Sequence, residues 1–280
     1  MQKNIRPATA SDDDAMLAVF ERLALSAGRR IMEIFHAGYA VDRKDDSSPV
    51  TEADHASERV ILDGLRSAFP SIPCVAEEEA AAGILPADLG EAFFLVDPLD
   101  GTKEFIKRSG DFTVNIALVR NGAPEIGVVY APSSKRFFSG GPGGAELIEL
   151  DANDEVVARR PIRVRSGQAP LTIVASRSHL TPETDSFIRK IKSAEIVSVG
   201  SSLKFCLLAN GEADIYPRFG RTMEWDTAAG DAVLRAAGGF TTTLDGKPLA
   251  YGKRDHPDDA DFANPFFIAR GGVDASALPA

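Results

Sequence analysis

A short segment, residues 93–105, constrains the fold of this chain more than any other. It reads Phe-Phe-Leu-Val-Asp-Pro-Leu-Asp-Gly-Thr-Lys-Glu-Phe. Four apolar residues bounded by an acid and a proline predict a short buried strand, and the residues after Gly101 predict the start of a helix. Pro98 fixes its own backbone and pushes Asp97 toward an extended conformation, so a helix cannot run through the acids. The segment therefore predicts a strand, an acidic turn and a helix start.

The two acids of this turn, Asp97 and Asp100, have two interpretations. Carboxylates three residues apart can converge on one point, where like charges are costly unless a cation neutralises them. Hard oxygen ligands of this kind suit Mg²⁺. The backbone amides after Gly101 and the positive end of the following helix suit an anion such as phosphate. The alternative is that the acids only cap that helix, a frequent role for Asp.

A longer motif that contains both acids resembles the signature of a known family. Asp-Pro-Leu-Asp-Gly-Thr-x-x-Phe, at residues 97–105, is similar to the signature of the lithium-sensitive, magnesium-dependent phosphatases. That family includes inositol monophosphatase, relatives of fructose bisphosphatase and the 3'(2'),5'-bisphosphate nucleotidases. Its second signature, Trp-Asp-x-Ala-Ala-Gly, stands at residues 225–230 in the expected order. Two independent matches favour a metal site over helix caps.

The resemblance implies which residues would bind the metal. By matching positions, we expect the following Mg²⁺ ligands: Glu77, Asp97, Asp100, Asp226 and the main-chain carbonyl of Leu99. Asp226 also stands at a predicted helix start, so an N-cap role is its alternative. The family carries Gly-Glu-Glu or Ser-Glu-Glu where this chain has Ala76 and three glutamates. Such a run is usually a solvated surface. The register is therefore open, and we predict Glu77 rather than Glu78.

The resemblance also implies a catalytic pair. In these phosphatases, an acid that ends a Ser-Pro-Val-Thr-x-Ala-Asp type segment pairs with the threonine of Asp-Gly-Thr and helps to position the attacking water. This assigns nucleophile activation to Asp54 and Thr102, with Glu77 as the third catalytic residue. Thr51 followed by Asp54 also resembles a capping arrangement, so local helix capping is the alternative for Asp54.

Three details favour the nucleotidase branch of the family. They are Lys103-Glu104 in the central motif, the segment Ser-Arg-Ser-His at residues 176–179, and Gly-Ser-Ser-Leu-Lys-Phe at residues 200–205. A helix start with serines and a lysine could receive a second phosphate or the ribose. A plain surface role is the alternative for Arg177, His179 and Lys204. The predicted substrate-binding residues are Glu77, Leu99, Asp100, Gly101, Thr102, Ser176, Ser178, His179, Ser202, Lys204 and Asp226.

These matches imply a hydrolase of phosphate monoesters. We expect two or three Mg²⁺ ions, inhibition by Li⁺, and removal of the 3'-phosphate of adenosine 3',5'-bisphosphate to give AMP, a step linked to sulfur metabolism. One alternative is an inositol monophosphatase or another phosphatase of small sugar phosphates. An alternative of another class is a non-catalytic regulatory protein that keeps the fold. The complete acid set counts against it, because clustered carboxylates are costly and do not help folding.

Composition limits the partners and the location. The net charge of −10 argues against binding a nucleic acid polymer, which needs a basic surface. Cys74 and Cys206 both lie in apolar runs, as expected of buried thiols in a reducing cytoplasm. No apolar run reaches the roughly 18 residues of a spanning helix. We expect a cytoplasmic protein; peripheral attachment to the inner membrane, and a monomer or a homodimer, remain open.

The 280 residues can bury one large core or two small ones. Apolar residues at helical spacing predict a long amphipathic helix after Asp12. Beyond the central segment, apolar runs joined by Asn121-Gly122 predict a hairpin. The chain loses periodicity near residues 151–165, which predicts a boundary between subdomains 1–158 and 159–280. The second half alternates strand and helix and predicts a mostly parallel sheet. The family resemblance implies a layered αβαβα fold of the α/β class.

Overall fold

The computed structural model describes residues 10–44, 49–167, 169–176, 181–191, 193–255 and 257–279. The helices of this part of the chain are α1 (Ala10–Ala37), α2 (Glu52–Ala68), α3 (Glu77–Ala81), α4 (Thr102–Ile106), α5 (Pro182–Lys190), α6 (Leu203–Ala209) and α7 (Ala228–Ala236). The strands are β1 (Val41–Arg43), β2 (Pro49–Thr51), β3 (Cys74–Ala76), β4 (Ala92–Asp100), β5 (Thr113–Arg120), β6 (Ala123–Ala131), β7 (Arg136–Gly141), β8 (Gly144–Leu150), β9 (Val156–Ile162), β10 (Thr172–Ser176), β11 (Glu195–Val199), β12 (Ile215–Arg218), β13 (Phe240–Thr243) and β14 (Phe267–Arg270).

The larger sheet has the strand order β3-β4-β5-β6-β7-β8-β9. It is antiparallel except for the β3–β4 pair. One face is covered by α1 and α2, whose buried side chains, such as Phe20 and Ile61, pack with Phe94 and Ile116 of the sheet. The amphipathic helix predicted after Asp12 is confirmed as α1. Its apolar face packs on the sheet because burial of that face supplies most of a helix's stability.

The other face of the larger sheet packs on α6 and α7, which separate it from a smaller sheet. On the far side of the smaller sheet, Ile188 of α5 packs with Ile173 and Ile215. The layers are therefore α1 and α2, the larger sheet, α6 and α7, the smaller sheet, and α5. The layered αβαβα arrangement is confirmed.

The smaller sheet has the strand order β11-β10-β12-β14-β13. β10 pairs in parallel with β11 and β12, whereas β14 pairs antiparallel with both β12 and β13. Four of the five described strands therefore run in the same direction, as predicted, and β14 is the reversed strand. The prediction lacked β14 because a four-residue strand at the end of a long irregular stretch gives too few residues for a periodic signal.

Two tight turns join neighbouring strands of the larger sheet. Asn121 and Gly122 both have positive φ, +49° and +77°, and join β5 to β6, as predicted for a hairpin. Pro142 and Gly143 form the turn between β7 and β8.

The predicted subdomain boundary falls within β9, which spans residue 158 and extends the larger sheet to Ile162. All its side chains before Ile162 are exposed, so the strand gives no alternating signal. The division into two subdomains stays a prediction. Within the described residues, no helix combines the length and the apolar character needed to cross a membrane.

Candidate active site

The central segment forms the floor of a cavity of about 270 Å³. Strand β4 continues through both acids and ends at Asp100, with a bulge in its pairing to β5 between Asp97 and Asp100. Gly101 then has a φ of +94°, and a Cβ there would lie 3.0 Å from the Asp111 carbonyl. Gly101 is also the N-cap of α4, so neither Asp97 nor Asp100 occupies the cap position that was their alternative role.

The two acids differ in their surroundings. Asp97 is buried, and its Oδ1 accepts the Leu99 amide at 3.0 Å. Asp100 lines the cavity and accepts a hydrogen bond from the amide of Ser202. The Leu99 carbonyl, 3.3 Å from Thr102 Oγ1, is buried beside them. Of these three residues only Asp100 lines the cavity, whereas Asp97 and Leu99 are buried beneath it, with Asp97 close enough to interact with Asp100 and Glu77.

Asp54 both caps a helix and reaches the central segment. Its Oδ2 accepts the Thr51 amide at 2.8 Å and the Thr51 hydroxyl at 2.7 Å, which completes a capping box at the start of α2. Its Oδ1 lies 3.0 Å from Thr102 Oγ1. The helix cap and the predicted pairing with Thr102 are therefore compatible. One oxygen of the Asp54 carboxylate contacts Thr51, and the other contacts Thr102.

The three glutamates of α3 point to different environments. Glu77 lines the cavity, whereas Glu78 is buried and Glu79 forms an ion pair with Arg66. The Lys44 ammonium lies 2.6 Å from Glu77 Oε1 and 2.7 Å from Glu78 Oε1. The sequence left open whether Glu77 or Glu78 belongs to the site, and this geometry agrees with Glu77.

Asp226 lies just before α7 and lines the cavity, close enough to Asp100 and Glu77 for their charges to interact. Its Oδ2 accepts the Met223 amide at 2.8 Å, and its own amide donates to the Met223 carbonyl at 3.2 Å. Thr227, not Asp226, is the N-cap of α7. The cap interpretation of Asp226 is therefore wrong, and its carboxylate is left to face Asp100 and Glu77.

Burial and mutual repulsion raise the pKa values of this cluster. Burial raises the pKa of Asp226 to about 8, and the charges of Asp100 and Glu77 add to the effect. Burial, followed by the charges of Glu77, Asp100 and Asp226, raises the pKa of Asp97 well above its usual range. Burial raises the pKa of Asp100 to about 6, while the nearby Lys204 ammonium opposes the shift. The four carboxylates are close enough to destabilise one another when ionised.

The donor set suits a hard divalent cation. Carboxylates and a main-chain carbonyl are the ligands that Mg²⁺ prefers, and a cation would offset the repulsion that raises these pKa values. Among the described residues, no group of three or more His, Cys, Asp or Glu side chains has the geometry of a ready-made metal site. Two lysines offset part of the negative charge: Lys44 forms an ion pair with Glu77, and the Lys204 ammonium interacts with Asp100.

The raised pKa values predict how stability depends on pH. An acid whose folded pKa lies above its unfolded value of about 4 binds more protons when folded, so stability is lost as the pH rises through the folded pKa. With Asp226 near 8 and Glu58 and Glu78 near 7, all raised first by burial, stability falls from about pH 4 upward and the loss is complete near pH 8. We expect the melting temperature in EDTA to be several degrees lower at pH 8.5 than at pH 6. Saturating Mg²⁺ should reduce this difference, and a pH-independent melting temperature in EDTA would contradict the electrostatic picture.

The cavity also contains two cationic side chains, Lys204 and Arg218. Lys204 is buried, its ammonium donates to the carbonyls of Val199 and Ser201, and it lies 5.2 Å from the centre of the Tyr216 ring. Burial lowers the pKa of Lys204 to about 8. Arg218 also lines the cavity, and its buried Nε has no hydrogen-bond partner among the described residues. A buried donor without a partner is costly, which favours an anionic ligand here.

The structure brings most of the predicted site together. Of the predicted residues, the following line the cavity: Glu77, Asp100, Gly101, Thr102, Ser176, Ser202, Lys204 and Asp226. The Ser202 hydroxyl already hydrogen-bonds Thr113 and Asn115, so its amide rather than its hydroxyl reaches the site. Ser178 and His179 lie outside the described residues.

The sequence reasoning missed two cations of the site, Lys44 beside Glu77 and Arg218 in the cavity lining. Lys44 stands in a loop that shows only polar composition, and Arg218 ends β12, a strand predicted as far as Tyr216. The one signal for Arg218 was a charged residue directly after a buried strand.

Comparison with known proteins decides the family. The chain matches the inositol monophosphatase family over residues 12–264. It belongs to that family. Among similar family members, the 3'(2'),5'-bisphosphate nucleotidase CysQ of Escherichia coli (strain K12) is 45% identical over 248 residues, which cover 88% of this chain and 96% of the relative. The CysQ of Aggregatibacter actinomycetemcomitans is 32% identical over 247 residues, covering 88% and 89% of the two chains.

Solved structures of family members share the fold. The crystal structure of CysQ from Bacteroides thetaiotaomicron has a TM-score of 0.74 and 36% identity, covering 93% of this chain and 98% of that one. The inositol monophosphatase of Anabaena (Nostoc) sp. PCC 7120 has a TM-score of 0.69 and 28% identity, covering 92% of each chain. The layered architecture described above is thus the architecture of this family.

Proposed function

We propose that this family member is a magnesium-dependent 3'(2'),5'-bisphosphate nucleotidase. It would remove the 3'-phosphate of adenosine 3',5'-bisphosphate and release AMP and phosphate. The observation that carries this proposal is the mixed charge of the cavity, which is lined by the carboxylates of Glu77, Asp100 and Asp226 and also by two cations, the buried Lys204 and the half-buried Arg218. A bisphosphate needs both a hydrolytic centre and a separate anion site. The similarity to the CysQ nucleotidases supports the same assignment.

The ligands proposed for Mg²⁺ are Glu77, Asp97, Asp100, Asp226 and the Leu99 carbonyl. When bound there, Mg²⁺ would neutralise the charge of the phosphate, acidify a water and stabilise the leaving oxygen. The repulsion among these carboxylates supports the proposal, because it leaves an excess of negative charge that their lysine neighbours only partly offset. Two or three ions and inhibition by Li⁺ remain part of the proposal.

Thr102 and Asp54 would position the attacking water. Asp54 is fixed by two hydrogen bonds from Thr51, so its Oδ1 is a rigid acceptor for the Thr102 hydroxyl at 3.0 Å. Because that hydroxyl donates to Asp54, its oxygen is free to accept a hydrogen bond from the water and to orient it. The water attacks phosphorus directly, and no covalent intermediate with the protein is required.

Lys204 and Arg218 would hold the second phosphate, with Ser176 beside them in the cavity lining. A charged group that is already desolvated binds an anion more strongly than an exposed one. The roles of Ser178 and His179 stay predictions. Cys74 and Cys206, both free and buried thiols, agree with the reducing cytoplasm proposed for this function.

The choice of Glu77 over Glu78 is open to a direct comparison. Glu77→Gln should lower Mg²⁺-dependent turnover at least about 10-fold more than Glu78→Gln, because only Glu77 faces the cavity. Phosphate release at several Mg²⁺ concentrations measures the difference. Glu78→Gln, which removes a buried charge next to Lys44, serves as the matched control. Equal losses, or a larger loss with Glu78→Gln, would assign the ligand to Glu78.

A phosphate-release assay on a small substrate panel tests the function. Adenosine 3',5'-bisphosphate should be hydrolysed with a higher kcat/KM than 3'-AMP, which lacks the second phosphate, and than inositol 1-phosphate. EDTA should abolish the activity and Li⁺ should inhibit it. Faster hydrolysis of inositol 1-phosphate would favour the inositol monophosphatase alternative. A lack of activity on every substrate, together with a lack of Mg²⁺ binding, would favour a non-catalytic protein.

A further inference from the structure

The turn that carries Asp226 is supported from behind by a buried polar network. Glu224 is fully buried, and its carboxylate accepts hydrogen bonds from the amides of Gly252 at 2.6 Å and Lys253 at 2.9 Å. The Lys253 ammonium lies 2.6 Å from the same carboxylate and 3.2 Å from Asn264 Oδ1. We call these three side chains the Glu224–Lys253–Asn264 network.

Two successive hydrogen bonds, from Asn264 to Met223 and from Met223 to Asp226, connect the network to Asp226. Asn264 Nδ2 donates to the Met223 carbonyl at 2.8 Å and to Thr227 Oγ1 at 3.0 Å. It is therefore hydrogen-bonded to the turn on both sides of Asp226. The Met223 amide in turn donates to Asp226 Oδ2 at 2.8 Å. Rotation of the Asp226 carboxylate is therefore limited by Met223, and the position of Met223 is set by Asn264.

The same segment ties the turn to the N-terminal half of the chain. The Tyr251 amide donates to the Gly122 carbonyl at 3.0 Å, and Arg254 donates to the Pro86 carbonyl at 3.0 Å. The other proposed carboxylate ligands, Glu77, Asp97 and Asp100, all belong to that half. The segment around Lys253 thus fixes Asp226 relative to ligands that are more than 120 residues away in the sequence.

The charges explain why Lys253 matters within the network. The Glu224 carboxylate is fully desolvated, and Lys253, whose side chain is 17% exposed, is the cation beside it. Removal of one partner of such a pair leaves a buried charge uncompensated, and either protonation of Glu224 or a shift of the turn toward water would change the hydrogen bonds that Glu224 makes. Glu224 is two residues from Asp226, so that change reaches the site directly.

We propose that Lys253 is a positioning residue which, through Glu224 and Asn264, holds the Asp226 carboxylate in place for a divalent cation. The inference rests on the proposed function, since it assumes that Asp226 is a metal ligand. Groups that orient a metal ligand from behind are typically worth 10- to 100-fold in metal affinity. The Glu224–Lys253–Asn264 network can orient Asp226 in this way, since it is hydrogen-bonded to the turn and none of its three residues lines the cavity.

The test compares Lys253→Met with Lys247→Met. Lys247 also pairs with an acid, Asp245 at 2.7 Å, but the pair is exposed and Lys247 makes no described hydrogen bond or ion pair with the network, so it controls for the loss of a lysine. Mg²⁺ binding to the substrate-free protein is followed by calorimetry and by the fluorescence of Trp225, the single tryptophan of the chain and the neighbour of Asp226. We expect Lys253→Met to raise the half-saturating Mg²⁺ concentration at least about 10-fold, and Lys247→Met to leave it unchanged.

The outcomes separate this inference from the function on which it rests. Wild-type affinity for Mg²⁺ in a folded Lys253→Met variant, even one with a lower melting temperature, would show a purely structural role and overturn the inference alone. A wild-type protein that does not bind Mg²⁺ would overturn the proposed function as well. If Lys253→Met does not fold, Glu224→Gln, which keeps the shape of Glu224 without its charge, is judged by the same 10-fold criterion.

Discussion

Asp100→Asn should reduce Mg²⁺-dependent phosphate release by at least about 1000-fold, because several kcal/mol of transition-state stabilisation depend on the metal and each 1.4 kcal/mol is a factor of ten. Asn keeps the size of Asp100 and one oxygen but removes its charge. The variant should fold normally, and in EDTA at neutral pH it should unfold at a higher temperature than the wild type. Burial raises the pKa of Asp100 to about 6, so its ionised form opposes folding at pH 7.

Turnover of adenosine 3',5'-bisphosphate and thermal unfolding in EDTA measure the two expected effects. Asp245→Asn is the matched control, since Asp245 is an exposed acid in a turn far from the cavity. Activity near the wild-type level in Asp100→Asn would remove Asp100 from the site. Lower stability in EDTA would mean that its interactions with Lys204 and the Ser202 amide outweigh the repulsion and the cost of burial.

Thr102→Val should lower kcat by about 100-fold or more while KM changes little. The contribution of a group that handles the nucleophile is typically of this size, and such a group acts on the rate rather than on substrate binding. Val has the shape of Thr but lacks the hydroxyl that lies 3.0 Å from Asp54 Oδ1. The capping box at the start of α2 uses the other oxygen of Asp54, so the helix should keep its cap.

Thr102→Ser is the control, because it restores the hydroxyl and should recover most of the rate. Steady-state kinetics on the same substrate separate kcat from KM. A Thr102→Val variant with an unchanged kcat and a raised KM would indicate that Thr102 binds the substrate and does not orient the water. A Thr102→Ser variant as slow as Thr102→Val would assign the effect to the missing methyl group.

Local features were readable from the sequence because their causes are local. The cap at Thr51 and Asp54, the Asn121-Gly122 turn and the amphipathic helix α1 each depend on residues within a few positions of one another. The acids of the central segment were found in the same way, since Pro98 and Gly101 restrict the backbone around them. The assignment of roles to these acids came from the resemblance to the phosphatase family and not from their spacing.

Features that depend on distant contacts could not be read in this way. Strand β9 exposes nearly all of its side chains, so it is stabilised by pairing with β8 and leaves no hydrophobic pattern. Strand β14 is defined by its neighbours β12 and β13, which give a four-residue segment its structure and make the sheet mixed.

The residues of the site likewise divide into those that local motifs reveal and those whose roles only the fold determines. Glu77, Glu78 and Glu79 are alike in sequence, and only the fold places Glu77 in the cavity, Glu78 against Lys44 and Glu79 against Arg66. The Glu224–Lys253–Asn264 network likewise depends on partners that are 11 and 28 residues away along the chain. Local motifs reveal which residues could bind a metal or take part in the reaction. The tertiary structure is needed to tell which of them line the cavity and which only position the others.

The most direct test of the whole account is the position of a divalent cation in a crystal grown with Mn²⁺, which takes the same hard oxygen ligands as Mg²⁺ and can be located by anomalous scattering. We predict anomalous peaks within coordination distance of Glu77, Asp97, Asp100 and Asp226. Ordered Mn²⁺ bound elsewhere in the protein, with these four carboxylates free of metal, would contradict the proposed hydrolytic centre.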